Sequence, residues 1–217
     1  MTEKNISTIL FDMDGTLLDT EKYYHKCWIR AAADCGHEMS SEQALLLRSL
    51  GKPFAVKVVR GMLGEEADYD RIRERRVVLM EEMIRQEGIQ CKPGAVETLV
   101  TLKKRGYCLA IVTAAHEKRA GEYLALAGLK GYFDEIICAT MVPRGKPAPD
   151  IYLYACQRLK VNPGNTIAVE DSPNGIRSAY DAGCHVVMVP DQTQPDEDLM
   201  KLLYRKADTL LQLPDMI

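Results

Sequence analysis

The chain has 217 residues, is 47% hydrophobic and carries a net charge of −3 at pH 7. That is enough apolar material for one large domain, or for a core with a smaller companion. A charge so near neutrality, with no basic block, argues against nucleic-acid binding and gives no reason for membrane-surface binding. No apolar run nears the roughly 20 residues of a spanning helix, and the polar segment 1–7 is too short for a signal peptide. The seven cysteines are odd in number, scattered and never spaced C-x-x-C. Most sit in apolar runs, as reduced core residues do. The expectation is a cytoplasmic monomer with no nucleic-acid or membrane partner.

The first element is an apolar strand over 6–11, which stops abruptly at Asp12-Met13-Asp14-Gly15-Thr16. Tyr24, Cys27, Trp28, Ala31 and Cys35 then recur at the spacing of one helix face. From about 20 to 88 no alternating strand is visible. The period is helical, with breaks at Gly36, at Gly51-Lys52-Pro53 and over 61–64, so four helices are predicted. The last covers 68–86, with Ile72, Arg76, Leu79 and Met83 along one side.

After Gly88 the pattern changes. Pro93-Gly94 opens a helix with Val96, Leu99 and Val100 on one face. Residues 109–112 form a buried strand that ends at Thr113, and a helix over 117–127 stops at Gly128. A strand over 135–139 leads through Gly145-Lys146-Pro147 to a helix over 149–159, with Ile151, Tyr154, Ala155 and Leu159 in phase. The strand 166–169 ends at Glu170-Asp171. A short helix over 175–182 and a last strand over 186–189 follow. Near-continuous apolar strands alternating with helices predict an α/β fold, a parallel sheet covered on both faces. The helical block is then an insertion after the first strand, placed over the carboxyl edge of the sheet where ligands bind in open α/β folds. The core domain is expected at 1–17 and 88–217 and the inserted domain at 18–87, with hinges at both boundaries.

Four polar sites follow four of these strands, and the carboxyl ends of parallel strands share an edge. Two buried carboxylates at spacing two call for a cation, because burying them unpaired costs several kcal/mol. Asp12 can act as a nucleophile, and Asp14 can protonate a leaving group and later activate water. With Glu170 and Asp171 they make a hard-oxygen set suited to Mg²⁺, and no His/Cys cluster offers a zinc site. Thr113 can hydrogen-bond a phosphoryl oxygen, or is simply a strand residue. Lys146 can neutralise the carboxylates and a developing phosphoryl charge, or is a solvated lysine. His116, at a helix start, is a capping or surface residue or a ligand contact. Trp28 reads as packing. Tyr23 and Tyr24 line a cleft or pack the insertion on the core.

Asp12-Met13-Asp14-Gly15-Thr16, Val112-Thr113, Gly145-Lys146-Pro147-Ala148-Pro149-Asp150 and Val169-Glu170-Asp171-Ser172 together resemble the four motifs of the haloacid dehalogenase-like (HAD) hydrolase superfamily. Lys-Pro-Ala-Pro-Asp-Ile-Tyr and Glu-Asp-Ser-Pro-Asn-Gly-Ile are most similar to its β-phosphoglucomutase-like phosphatase branch. The resemblance covers essentially the whole chain. It implies a Rossmann-like parallel-sheet core with an all-helical, four-helix cap. It further implies that Asp12 forms an aspartyl-phosphate and Asp14 is the acid and base. Mg²⁺ is held by the Asp12 carboxylate, the Asp14 backbone carbonyl and Asp171, with Glu170 beside or within the site. Thr113, Ala114 and Lys146 hold the phosphoryl group. Tyr24, Arg48, Lys52 and His116 are the implied substrate contacts. The mutases of the branch carry Val where this chain has Thr16, and His where it has Tyr24. His25 lies one residue later, about 100° around a helix.

The activity the resemblance implies is therefore Mg²⁺-dependent hydrolysis of a small phosphate monoester of the sugar-phosphate class. The enzymatic alternative is a hexose-phosphate mutase. A non-catalytic phospho-ligand-binding or regulatory protein would have lost Asp12 or Asp14. A signalling receiver domain would lack the insertion and the second aspartate.

Overall fold

The computed structural model describes residues 6–217; residues 1–5, part of the polar segment 1–7 and of the expected core domain, lie outside the described residues. Strand β1 (Thr8–Phe11) is buried at all four positions, as a central strand must be when helices cover both faces. It pairs in parallel with β2 (Cys108–Thr113) on one side and β4 (Thr166–Glu170) on the other. Strand β3 (Glu135–Cys138) lies outside β2, and β5 (His185–Met188) and β6 (Arg205–Lys206) continue beyond β4. The sheet order is β3-β2-β1-β4-β5-β6.

The period-two alternation of the strands divides the core into two layers. Ile9, Phe11, Leu109, Ile111, Ile167 and Val169 face one layer, with Leu99 and Leu102 of α5 (Ala95–Lys104) and Leu124 of α6 (Glu117–Leu126). Leu10, Ala110, Val112, Ala168 and Val186 face the other, with Ile151 and Tyr152 of α7 (Asp150–Leu159) and Ile176 and Ala179 of α8 (Pro173–Asp181).

Between β1 and α5 the described chain holds four helices and no strand: α1 (Glu21–Asp34), α2 (Ser41–Leu45), α3 (Lys52–Leu63) and α4 (Tyr69–Glu87). The expected α/β class and inserted four-helix unit are both present. Helix α1 buries Tyr24, Cys27, Trp28 and Ala31. Helix α4 starts at Asp68, whose side chain accepts from the Asp70 and Arg71 amides. A final short helix, α9 (Glu197–Met200), precedes β6.

Four local expectations need correction, and one strand was not foreseen. Gly61 does not break α3, which runs on to Gly64, where φ of 106° ends it. The buried stripe of α4 is Ile72, Arg76, Met80 and Ile84, at successive i+4 steps, and Leu79 and Met83 only flank it. Val96 is 40% exposed, because α5 turns Ala95, Thr98, Leu99 and Leu102 inward. On α7 the fully buried tyrosine is Tyr152, and Tyr154 is partly buried. The two-residue β6 was not expected: Arg205-Lys206 has no apolar pattern, and a charged edge strand needs none. Among the described residues no helix is long and apolar enough to cross a membrane, and the seven cysteines form no disulfide.

Candidate active site

Register brings the four polar sites together. Phe11 stands opposite Ile111 on β2 and Val169 on β4. Asp12, one residue on, still donates its amide to the Val169 carbonyl at 2.9 Å. Its carboxylate thus sits beside the end of β2 and level with Glu170. Lys146 closes the group. Its ammonium, buried completely, donates to Asp12 Oδ1 at 2.5 Å, to Glu170 Oε1 at 2.6 Å and to the Val112 carbonyl at 2.9 Å. Tyr152 adds its hydroxyl to Glu170 Oε1 at 2.6 Å. Burial works to discharge Lys146, but Asp12 and Glu170 outweigh it and hold its pKa above the usual lysine value. Burial likewise pushes Asp12 well above the usual carboxylate range, with Lys146 pulling the other way.

One lysine cannot satisfy this many carboxylates. Oxygen atoms of Asp12, Glu170 and Asp171 lie within 4.8 Å of one another. Asp12 Oδ2, Glu170 Oε2 and Asp171 Oδ1 are buried with no hydrogen-bond partner. Three orphaned hard-oxygen atoms around one point fit a small divalent cation. The Asp14 carboxylate stands apart from that set. It accepts from the Thr20 hydroxyl at 2.6 Å, and burial raises its pKa, opposed by Arg119, Thr20 and Arg76. A carboxyl whose pKa is shifted upward in this way suits proton donation better than an ordinary one.

The crowding predicts how metal-free protein responds to pH. Burial pushes Asp171 up to about 6, with Arg48 opposing and Glu170 adding to the rise. Between the ordinary 3.8 and about 6, the folded form keeps a proton that the unfolded chain has released. Stability therefore falls as pH rises through that window, by roughly 3 kcal/mol for Asp171 alone. Thermal melts in a chelator should give a higher Tm near about pH 5 than near about pH 7.5, with Mg²⁺ restoring Tm at the higher pH. A chelated protein equally stable at both would contradict the crowded-carboxylate reading.

The insertion supplies the opposite wall of the cleft. Asp12, Asp14, Thr113 and Ala114 line it from the sheet, Tyr24, Trp28, Tyr69, Arg73 and Arg76 from the inserted helices, and Arg48 from the turn after α2. The two sides meet closely. Gly51 donates its amide to the Lys146 carbonyl at 2.7 Å, and a Cβ on Gly51 would come within 2.8 Å of Gly145 Cα. Only paired glycines allow that backbone contact.

The expected site residues divide. Asp12, Asp14, Thr113, Ala114, Lys146, Glu170 and Asp171 converge, although Thr113 Oγ1 already accepts the Ala115 amide at 3.0 Å. Tyr24 and Arg48 line the cleft, but Arg48 is turned to the acidic cluster. Its guanidinium pairs with the Asp171 carboxylate, and donates to the Asp171 carbonyl and the Thr193 hydroxyl at 3.0 Å each. Lys52 does not reach the cleft. Its side chain is 62% exposed and pairs with Asp70 at 3.0 Å, because the start of α3 points it to solvent. His116 is exposed at the N-terminus of α6 and lies outside that lining, as does His25, which is bonded to Ser41. Trp28 packs, stacking on Tyr69 at 6.1 Å, and also faces the cleft. Tyr152, Thr20 and the arginines 73, 76 and 119 were not foreseen. The arginine on the apolar stripe of α4 was the available signal.

A family model for the haloacid dehalogenase-like hydrolases matches residues 6–183, which include all four strand-end motifs. The chain is a haloacid dehalogenase-like hydrolase. Hexitol phosphatase A of Escherichia coli is 35% identical over 180 residues, covering 83% of this chain and 81% of that protein. The phosphorylated carbohydrates phosphatase of Thermotoga maritima is 29% identical over 182 residues, with 82% of each covered. The crystal structure of CbbY from Rhodobacter sphaeroides in complex with phosphate superposes with a TM-score of 0.77 at 26% identity, covering 96% of each chain.

Within this HAD-like framework Gly175 has a specific task. A Cβ there would overlap the Glu170 carboxylate. Gly175→Ala improves helix propensity by about 1 kcal/mol. It also displaces a carboxylate that holds both Lys146 and Tyr152, at about 1.5–3 kcal/mol for each charged hydrogen bond. The second effect wins. The variant should melt about 10 °C lower; an unchanged Tm would show that Glu170 moves freely.

Proposed function

We propose that this hydrolase is a Mg²⁺-dependent phosphatase of small phosphate monoesters, of the sugar-phosphate class, working through a phospho-Asp12 intermediate. The observation that carries the reading is the buried Lys146–Asp12–Glu170 group beside the orphaned oxygens of Asp12, Glu170 and Asp171. The relatives named as phosphatases support the phosphoric monoester hydrolase activity.

In this reading the cleft residues bind the ester with its phosphorus next to Asp12. Lys146, the Thr113 hydroxyl and the backbone around Ala114 hold the non-bridging oxygens. An Asp12 carboxylate oxygen attacks phosphorus in line as the bond to the alcohol oxygen breaks. Asp14, protonated, gives its proton to that leaving oxygen. The alcohol departs, and Asp14, now a carboxylate, takes a proton from water. The hydroxide attacks phosphorus, breaks the bond to Asp12 and releases phosphate. The Asp12 and Asp171 carboxylates with the Asp14 carbonyl would hold Mg²⁺, with Glu170 beside them. The bound ion supplies positive charge to the phosphoryl oxygens. Residues 18–87 act as a cap on residues 1–17 and 88–217, closing to exclude bulk water.

The test is release of free phosphate from a panel of sugar phosphates and other phosphate monoesters, with and without Mg²⁺, while isomerised product is followed in parallel. Mg²⁺-dependent phosphate release is the expected result. Isomerisation of β-glucose 1-phosphate with little release would replace the reading with a mutase, despite Thr16 and Tyr24. No product from any ester would overturn both.

A further inference from the structure

Three arginines of the cleft form no salt bridge among the described residues. Arg76 is only 4% exposed, on the buried stripe of α4. Arg73 stands one turn earlier, and Arg119 reaches in from α6. None of the three forms a salt bridge among the described residues, whereas nearby Arg75 pairs with Asp34 and Arg48 with Asp171. Nε and Nη1 of Arg76 and Nε of Arg119 are buried without an acceptor. Aromatic rings lie beside two of these guanidinium groups, those of Arg76 and Arg119. Arg76 lies 5.1 Å from the Tyr24 ring centre and 4.9 Å from that of Trp28, and Arg119 lies 5.6 Å from Tyr24. A cation–π contact uses no N–H donor, so the buried Nε and Nη1 of Arg76 and Nε of Arg119 remain free for an anion.

The position is as informative as the charge. All three arginines share the cleft with Asp12, Asp14, Thr113 and Ala114. Arg119 and Arg76 both pull on Asp14, so they stand on the side of the acid. In the proposed mechanism Asp14 serves the departing alcohol, so the arginines lie near that group. Burial pushes Arg76 down from the usual arginine range, the sign of a cation held without compensation. A buried unpaired charge weakens a fold. An anionic ligand would bring the missing charge.

We propose that Arg76 and Arg119, backed by Arg73, form a second anion site, so that the substrate is a phosphate monoester whose alcohol portion carries a further carboxylate or phosphate. This rests on the phosphatase reading above and narrows it. A sugar-acid phosphate or a sugar bisphosphate satisfies the arginines. A neutral hexose monophosphate leaves them unpaired.

The test compares size-matched ligands by calorimetry in Mg²⁺, on Asp12→Asn protein so that nothing turns over. One pair is 2-phosphoglycolate and 2-hydroxyethyl phosphate; the other is ribulose 1,5-bisphosphate and ribulose 5-phosphate. The doubly anionic member should bind about 100-fold tighter in at least one pair. The pair that responds tells carboxylate from phosphate. Adding Arg76→Met should bring the ratio to below about 3, and Arg76→Lys should restore about 10-fold discrimination. Arg119→Met gives the same readout if the Met variant at 76 does not fold. Equal affinity within both pairs, or a ratio that survives both substitutions, overturns the second site. Discrimination that holds while the parent enzyme releases no phosphate from any of the four overturns the phosphatase reading and leaves the anion site standing.

Discussion

Asp12→Asn should reduce phosphate release by on the order of 10⁴-fold or more while leaving the fold intact. The amide keeps the shape of the carboxylate and can still accept from Lys146, but it is no nucleophile toward phosphorus. The fold should not suffer, because burial already pushes the Asp12 carboxyl well above its ordinary pKa. Removing one of several crowded negative charges relieves the site as much as it weakens it. The pairing of near-zero turnover with a Tm within about 3 °C of the parent separates lost chemistry from lost structure. Wild-type rates would remove Asp12 as the nucleophile, and a collapsed Tm would make it a structural residue.

Lys146→Met should do the reverse, damaging structure and turnover together. The ammonium is wholly buried and answers both Asp12 and Glu170. Taking away one partner of a buried ion pair costs about 3–5 kcal/mol, or roughly 10 °C in Tm for a chain of this size. Turnover should fall by about 10³-fold, since the phosphoryl oxygens lose their fixed cation. The stability deficit should depend on pH. Without Lys146 the folded-state pKa of Asp12 rises further, so the folded variant holds protons that the unfolded chain releases. Its stability then falls as pH rises through that range, and the deficit against the parent should be smaller near about pH 5 than near about pH 8. A deficit that grows on acidification would mean that the carboxylates do not depend on Lys146.

The core of the site was readable because parallel-sheet geometry does the assembling. Once 6–11, 109–112 and 166–169 are read as parallel strands, Asp12, Thr113 and Glu170 must stand at one edge. Lys146 is harder, since a loop carries it, yet the excess of carboxylates calls for a cation. The wall from residues 18–87 was read less well. Helical periodicity fixes which residues share a side, not what that side meets. Arg48 and Lys52 are four residues apart in sequence, yet one is buried against Asp171 and the other is solvated beside Asp70. Arg76 was placed on one side of its helix with Ile72, Leu79 and Met83, but that side was given no role. Tyr152 was hidden for a related reason. The phase chosen for 149–159 favoured Tyr154, and only the two-faced burial of α7 turns Tyr152 onto Glu170.

The central claim is a phosphoryl group carried covalently by Asp12, and rapid acid quench of the enzyme with a labelled turnover substrate tests it most directly. The account predicts Mg²⁺-dependent, base-labile label on the peptide that contains Asp12, rising before free phosphate appears and absent from Asp12→Asn protein. Full turnover with no label on that peptide at any time would contradict it, and would leave direct attack of water on phosphorus in its place.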